Sequence, residues 1–193
     1  MKKIAITGGI GSGKSLVGSY LKKQGYPVFS CDEIYKEIFD TNEYVQLIER
    51  AFPSAVKDGK IDRKILSKIV FDDKEQLSLL NSIAHPYVLK TLNEKMNNID
   101  APLVFAEVPL LFEGKFEALF DGVIVVLREK GARLAAVQKR DGLTEGQVLS
   151  RMDSQFNYDE NRSLLQEKYY CIENDGDEVG LYNSVNCVIK LLS

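Results

Sequence analysis

The chain has 193 residues, 45% of them apolar and 27% charged, with 25 Lys and Arg against 28 Asp and Glu for a formal charge of −3. That is the length of one domain with insertions and an ordinary globular composition, which argues against a disulfide-dependent miniprotein, against disorder and against a nucleic-acid-coating role. Cys31, Cys171 and Cys187 are odd in number and lack Cys-x-x-Cys spacing, so they read as reduced thiols of a cytoplasmic protein rather than as a disulfide framework or a zinc site.

In chain order, the first predicted element is a short apolar strand from Ile4 to Thr7. Met1-Lys2-Lys3 imitates the start of a signal peptide, but the apolar stretch stops at Thr7-Gly8-Gly9, too soon for one. A helix over Lys14 to Lys23 closes at Gly25, and a second strand covers Val28 to Ser30. From Asp32 to Ala101 no strand is predicted. Helical stripes instead run through Ile65, Leu66, Ile69 and Val70, then through Leu77, Leu80, Ile83 and Ala84, broken at Pro86. A segment this long exceeds an ordinary crossover and reads as a helical insertion of about 33–101, suited to binding a substrate beside the sheet edge.

Further strands follow at Leu103 to Val108 and Val123 to Leu127, the latter the longest apolar run at five residues, where a membrane span needs about 20. No membrane partner is expected. Residues from Glu129 to Gln166 read as a helical, arginine-rich block with a capping box at Thr144 and Gln147, a lid of about 129–168. A last strand, Tyr169 to Glu173, leads into a helix, Asp177 to Leu192, with Tyr182, Val185, Val188, Ile189 and Leu192 on one face. Short apolar strands alternating with helices predict an α/β fold around a parallel sheet, in a single domain whose core takes about 1–32, 102–128 and 169–193.

Gly8-Gly9-Ile10-Gly11-Ser12-Gly13-Lys14-Ser15 matches Gly-x-x-x-x-Gly-Lys-[Ser/Thr] between a predicted strand and a predicted helix, the context that motif requires. Phosphates need converging donors, and glycines at 9, 11 and 13 bare the backbone N–H groups of a loop that opens a helix N-terminus. Ser12 belongs to the same loop. Lys14 is placed to reach the β- and γ-phosphates of ATP or GTP, and the Ser15 hydroxyl to ligate Mg²⁺.

Phosphoryl transfer also needs a group that orients the acceptor and takes its proton. Asp32, just past the second strand, is a candidate base; equally, it can be the N-cap of a helix from Glu33 to Phe39. Arg133 and Arg140 lie seven residues apart and share a helix face, so they can meet triphosphate charge together or remain solvated. His85 is the only histidine, and before Pro86 it reads as a structural residue or a ligand contact. The apolar residues of Glu107-Val108-Pro109-Leu110-Leu111-Phe112-Glu113 either wall a pocket or fill the core.

Together these segments resemble the dephospho-coenzyme A kinase family. The resemblance runs over nearly the whole chain through Thr7 to Ser15, Asp32, His85-Pro86, Val108 to Glu113, Arg140-Asp141-Gly142 and Asn174-Asp175-Gly176, in the family's order. It implies a P-loop kinase core with a five-stranded parallel sheet, a helical insertion taking the coenzyme A moiety and a mobile helical lid. The implied activity is ATP- and Mg²⁺-dependent phosphorylation of the ribose 3′-hydroxyl of dephospho-CoA. It further implies catalytic roles for Asp32, Lys14 and Arg140, and nucleotide contacts from the loop, Leu16, Arg140, Asn174 and Gly176. Substrate contacts are implied for Thr7, Asp32, His85, Pro109, Leu110 and Leu111. Ser30 stands where the family often has a further Asp, and Glu107 where it often has Asp.

Two other readings share the phosphate loop. One is another small-molecule P-loop kinase, acting on a nucleoside monophosphate or a sugar, which the length of the helical insertion disfavours. The other is a nucleotide-dependent switch, disfavoured because no Asn-Lys pair, as in the guanine-reading Asn-Lys-x-Asp motif, occurs in the chain.

Overall fold

The computed structural model describes residues 1–71 and 73–193. The chain forms two compact units, Met1–Phe29 with Ile99–Ser193, and Ser30–Asn98.

In the first unit, β1 (Lys2–Thr7), α1 (Lys14–Lys23) and β2 (Val28–Ser30) follow the predicted bounds to within two residues. After the second unit come β5 (Leu103–Glu107), β6 (Gly122–Leu127), α6 (Lys130–Asp141), α7 (Glu145–Asp153), α8 (Arg162–Lys168), β7 (Tyr170–Glu173) and α9 (Glu178–Leu192). The strands form one sheet in the order β2-β5-β1-β6-β7. β1 pairs in parallel with β5 and with β6, and β6 with β7. Chain order jumps across β1 between β5 and β6, so the carboxyl end of β1 is a switch point of the sheet, where α/β folds bind ligands.

Strand alternation explains the core. Ile4, Ile6, Leu103, Phe105, Ile124 and Val126 pack on one face against Val17 and Leu21 of α1 and Leu181, Val185, Val188 and Ile189 of α9. The intervening Ala5, Val104, Ala106, Val123 and Val125 are buried as well, so both faces are covered and the strands read as apolar runs. Burying each large aliphatic or aromatic side chain contributes about 1.5–3 kcal/mol. Tyr182, on the predicted apolar face of α9, stacks on Tyr20 of α1 with centroids 4.1 Å apart.

The second unit contains α2 (Cys31–Ile38), α3 (Asn42–Ala51), α4 (Arg63–Phe71) and α5 (Lys74–Asn97). Three details differ from the sequence reading. First, the unit is not strandless: β3 (Val56–Lys57) and β4 (Lys60–Ile61) form an antiparallel hairpin over Asp58-Gly59, both in the left-handed region. Asp-Gly is the signal for this turn, but two-residue strands are too short to show any periodicity. Second, α5 passes through Pro86 without breaking. Its buried stripe is Leu80, Ala84, Val88, Leu92 and Met96, and Pro86 is exposed, so the hydrogen bond that proline removes falls on the solvent side. Third, α2 starts at Cys31 with Ser30 as its N-cap, the Ser30 side chain accepting from Glu33 N at 3.4 Å. Asp32 is therefore a first-turn residue and not the cap.

The arginine-rich block is three helices, with the capping box at Thr144 and Gln147 opening α7. Val137, Val148 and Met152 form a small core shared by α6 and α7, and Ile10 packs against it.

Candidate active site

β1 delivers the chain into Gly8, and the loop through Ser12 ends at Gly13, which starts α1 in a left-handed conformation (φ 101°) with no side-chain cap. A glycine is suited to that conformation, and the uncapped end leaves backbone N–H groups directed out of the helix. Lys14 folds back over the loop, its Nζ donating to Gly8 O at 2.7 Å and Gly9 O at 3.1 Å. The ammonium is thus held above the concave backbone. Leu16 lies in the first turn of α1, its N–H bonded to Gly13 O at 3.0 Å.

Ser15 Oγ donates to Glu107 Oε2 at 2.9 Å. Glu107 ends β5 beside β1 in the register Ile6 to Glu107, so sheet pairing brings this carboxylate to the phosphate loop. A hydroxyl and a carboxylate side by side are hard oxygen donors of the kind Mg²⁺ takes. The pair fits that ion, so Glu107, which the resemblance leaves open as the place where the family often has Asp, joins the candidate residues through sheet register.

Asn174, at the end of β7, is buried, and its Nδ2 donates to Ser12 O at 2.8 Å, bracing the loop from below. Gly176 lies in the turn before α9 with open space at its Cα. From β6, Arg128 Nη1 donates to Gly11 O at 3.3 Å, while its buried Nε has no partner among the described residues. The approach of the segment after α7 to the loop, treated below, had no sequence signal.

The two lid arginines part company. Arg133 is 6% exposed and bound to Asp159 at 2.5 Å and to Arg128 O at 3.0 Å. Arg140 is exposed, and its Nε and Nη2 grip both carboxylate oxygens of Asp141 at 2.7 and 2.8 Å. That fork holds the Asp141 carboxyl below the usual carboxylate range and raises the Arg140 pKa.

Thr7 is fully buried, with its Oγ1 at 3.3 Å from the Tyr158 hydroxyl, whose pKa is pushed up chiefly by burial. Leu111 is fully buried, whereas Pro109 and Leu110 are half-buried at the turn after β5. In the second unit, Asp32 is exposed in α2 and His85 is half-buried in α5. No helix among the described residues is long and apolar enough to cross a membrane.

A phosphate loop at the switch point of a parallel sheet, with its lysine and serine in place, defines a P-loop kinase fold. The crystal structure of shikimate kinase from Bacteroides thetaiotaomicron has the same fold, with a TM-score of 0.55 at 14% identity over 99% of this chain and 98% of that one. The particular family follows from the whole chain. The model of the dephospho-CoA kinase family matches residues 2–179. The dephospho-CoA kinase of Thermus thermophilus is 36% identical over 190 residues, 98% of this chain and 91% of that protein. The crystal structure of TT1252 from Thermus thermophilus superposes with a TM-score of 0.84 at 36% identity, covering 100% of this chain and 98% of the other. The chain belongs to the dephospho-CoA kinase family, whose members phosphorylate dephospho-CoA with ATP in coenzyme A biosynthesis.

Proposed function

We propose that the chain transfers the γ-phosphoryl group of ATP to the ribose 3′-hydroxyl of dephospho-CoA in the cytoplasm, with Asp32 as the base that takes the hydroxyl proton. The observation that carries this reading is the phosphate loop with Lys14 above its concave face and the Ser15–Glu107 pair at its end. Cys171 and Cys187 are reduced thiols, which suits the reducing compartment.

Lys14 exchanges its loop carbonyls for β- and γ-phosphate oxygens and stabilises the charge that builds up on them during transfer. Ser15 Oγ and the Glu107 carboxylate would hold Mg²⁺, which would supply positive charge to offset that of the phosphates. Arg140 leaves Asp141 to contact phosphate with its planar fork, and Asn174 keeps the loop in shape from behind, its turn with Gly176 lying where the adenine rests. Asp32 is an exposed carboxylate two residues beyond β2, able to orient a hydroxyl and accept its proton. Pro109, Leu110 and His85 supply apolar and polar contacts to dephospho-CoA, with Thr7 and Leu111 supporting from behind the surface.

The test is ADP release measured with dephospho-CoA, AMP, shikimate or gluconate as acceptor, with the product identified by mass. Coenzyme A formation with dephospho-CoA at least about 10²-fold faster than any other transfer is the expected result. Preference for another acceptor overturns the reading.

A further inference from the structure

The segment between α7 and α8 bonds to Thr7 and Ile10 at the two ends of the first part of the phosphate loop and reaches Gly9 through Arg133. Gln155 Oε1 accepts from Ile10 N at 2.8 Å. Tyr158 places its hydroxyl at 3.3 Å from Thr7 Oγ1. Asp159 binds Arg133, whose Nη1 lies so close to Gly9 that a Cβ there would stand 2.6 Å from it. The segment is itself anchored: Phe156 N donates to Glu113 Oε1 at 2.8 Å, and the Phe156 and Phe112 rings lie 4.9 Å apart.

These contacts all fall on one half of the loop. Lys14 Nζ sits over Gly8 O and Gly9 O, so the residues nearest its ammonium are those at the loop's start, while Gly13 to Leu16 form the helix end. Since that lysine reaches the β- and γ-phosphates, Gly8 to Ile10 form the γ-phosphate end of the cradle. The N–H of Ile10 is a strong donor, and a side-chain acceptor of fixed length decides which way its peptide faces. Ile10 is also held by its side chain, against Val137, Val148 and Met152.

We propose that Gln155 is a positioning residue which, through the Ile10 N–H, sets the γ-phosphate end of the loop, within a strap of residues 155–159 that includes the Asp159–Arg133 pair. The inference rests on the ATP-binding reading above, because it takes the γ-phosphate to lie under Lys14. It goes beyond that reading by making the lid segment, rather than the loop alone, responsible for telling ATP from ADP. Losing one hydrogen bond of this kind shifts affinity by about three- to tenfold.

The experiment compares Gln155→Leu and Asp159→Asn with the parent chain by calorimetric ATP and ADP affinity, thermal midpoint, and hydrogen exchange at the Ile10 amide. Gln155→Leu is expected to weaken ATP about three- to tenfold, leave ADP within about twofold, and speed exchange at Ile10. Asp159→Asn is expected to move the ATP-to-ADP ratio in the same direction without touching Ile10 directly, and it carries the test if Gln155→Leu does not fold. Equal losses for ATP and ADP, or no change in their ratio in a folded variant, overturns the strap. A parent chain that binds ATP but does not phosphorylate dephospho-CoA overturns the acceptor assignment while the nucleotide ratios still decide the strap. A parent chain that binds no ATP overturns both.

Discussion

Ser15 Oγ and Glu107 Oε2 lie 2.9 Å apart, and Gly18, one turn along α1 from Ser15, is what gives Glu107 room. A Cβ at Gly18 would stand 2.2 Å from Glu107 Oε1 and 3.0 Å from its Cδ, so Gly18→Ala must swing the carboxylate away. Alanine gains about 1 kcal/mol of helix propensity over glycine, which offsets part of the crowding. The expected outcome is a folded protein with a thermal midpoint within a few degrees of the parent. Its half-maximal Mg²⁺ concentration should rise about tenfold. Glu107→Gln, which keeps the size and removes the charge, should shift the Mg²⁺ titration the same way. Unchanged titrations in both variants would remove Glu107 from the metal site.

Lys14→Ala removes the ammonium held over the loop, and loses two hydrogen bonds to Gly8 O and Gly9 O. Turnover should fall by about 10²-fold or more, several kcal/mol of transition-state stabilisation. Circular dichroism should show the fold retained. A folded variant with near-parental kcat contradicts the role of the loop in catalysis.

For Asp32, the discriminating change is to Asn. Ser30 is the cap of α2, so Asp32→Asn removes no capping bond and costs at most about 1 kcal/mol from the lost first-turn charge. As a base it contributes about 10²- to 10⁴-fold, which asparagine cannot supply. ATP affinity should stay within about threefold, with the loss in kcat. A stable, ATP-binding and fully active variant would mean that Asp32 takes no proton.

Arg140 and Arg162 are both ion-paired on the surface, the first with Asp141 and the second with Glu173. Only Arg140 falls in a motif that carries the family resemblance, Arg140-Asp141-Gly142, so Arg140→Ala should lower kcat/KM well below the level of Arg162→Ala. Arg140→Lys should recover part of the loss, since a lysine keeps the charge without the planar fork. Equal, small effects from both alanine changes would leave Arg140 an ordinary surface charge.

The thiols offer a check on local electrostatics. Burial, with the Glu173 carboxylate beside it, pushes the Cys171 thiol up to about 11, against a smaller opposing effect of Arg162. A thiolate is the reactive form, so at pH 8 only about one Cys171 in a thousand is reactive, and the fraction grows as pH rises toward 11. Cys187 is exposed. Iodoacetamide labelling followed by mass spectrometry should modify Cys187 first at pH 8, with Cys171 catching up only as the pH is raised. Faster labelling of Cys171 at pH 8 would contradict the burial.

The limits of what could be read from the chain follow a pattern visible in single residues. Pro86 looked like a helix end because proline's cost is local, yet the stripe Leu80, Ala84, Val88, Leu92 and Met96 packs on the side away from it and carries the helix through. Asp32 reads equally as a base or as a helix cap, because Asp is a good capping residue, yet Ser30, two residues earlier, takes the cap position. Arg133 and Arg140 share a helix face by spacing, but one is buried against Asp159 and the other is in solvent, a difference no periodicity encodes.

The sequence by itself determined the parallel-sheet α/β class, the phosphate loop and its chemistry, and the family, since each depends on short-range features. Apolar strands pair because they must bury both faces, and glycines at fixed offsets from Lys14 and Ser15 shape a few residues of backbone regardless of what lies elsewhere. The tertiary structure alone decided which residues stand behind that loop. Glu107 meets Ser15 across 92 residues of chain, Gln155 meets Ile10 across 145 and Asn174 meets Ser12 across 162. Hydrogen bonds act over about 3 Å, so partners this distant in sequence are selected only once strand register and helix packing have brought them together.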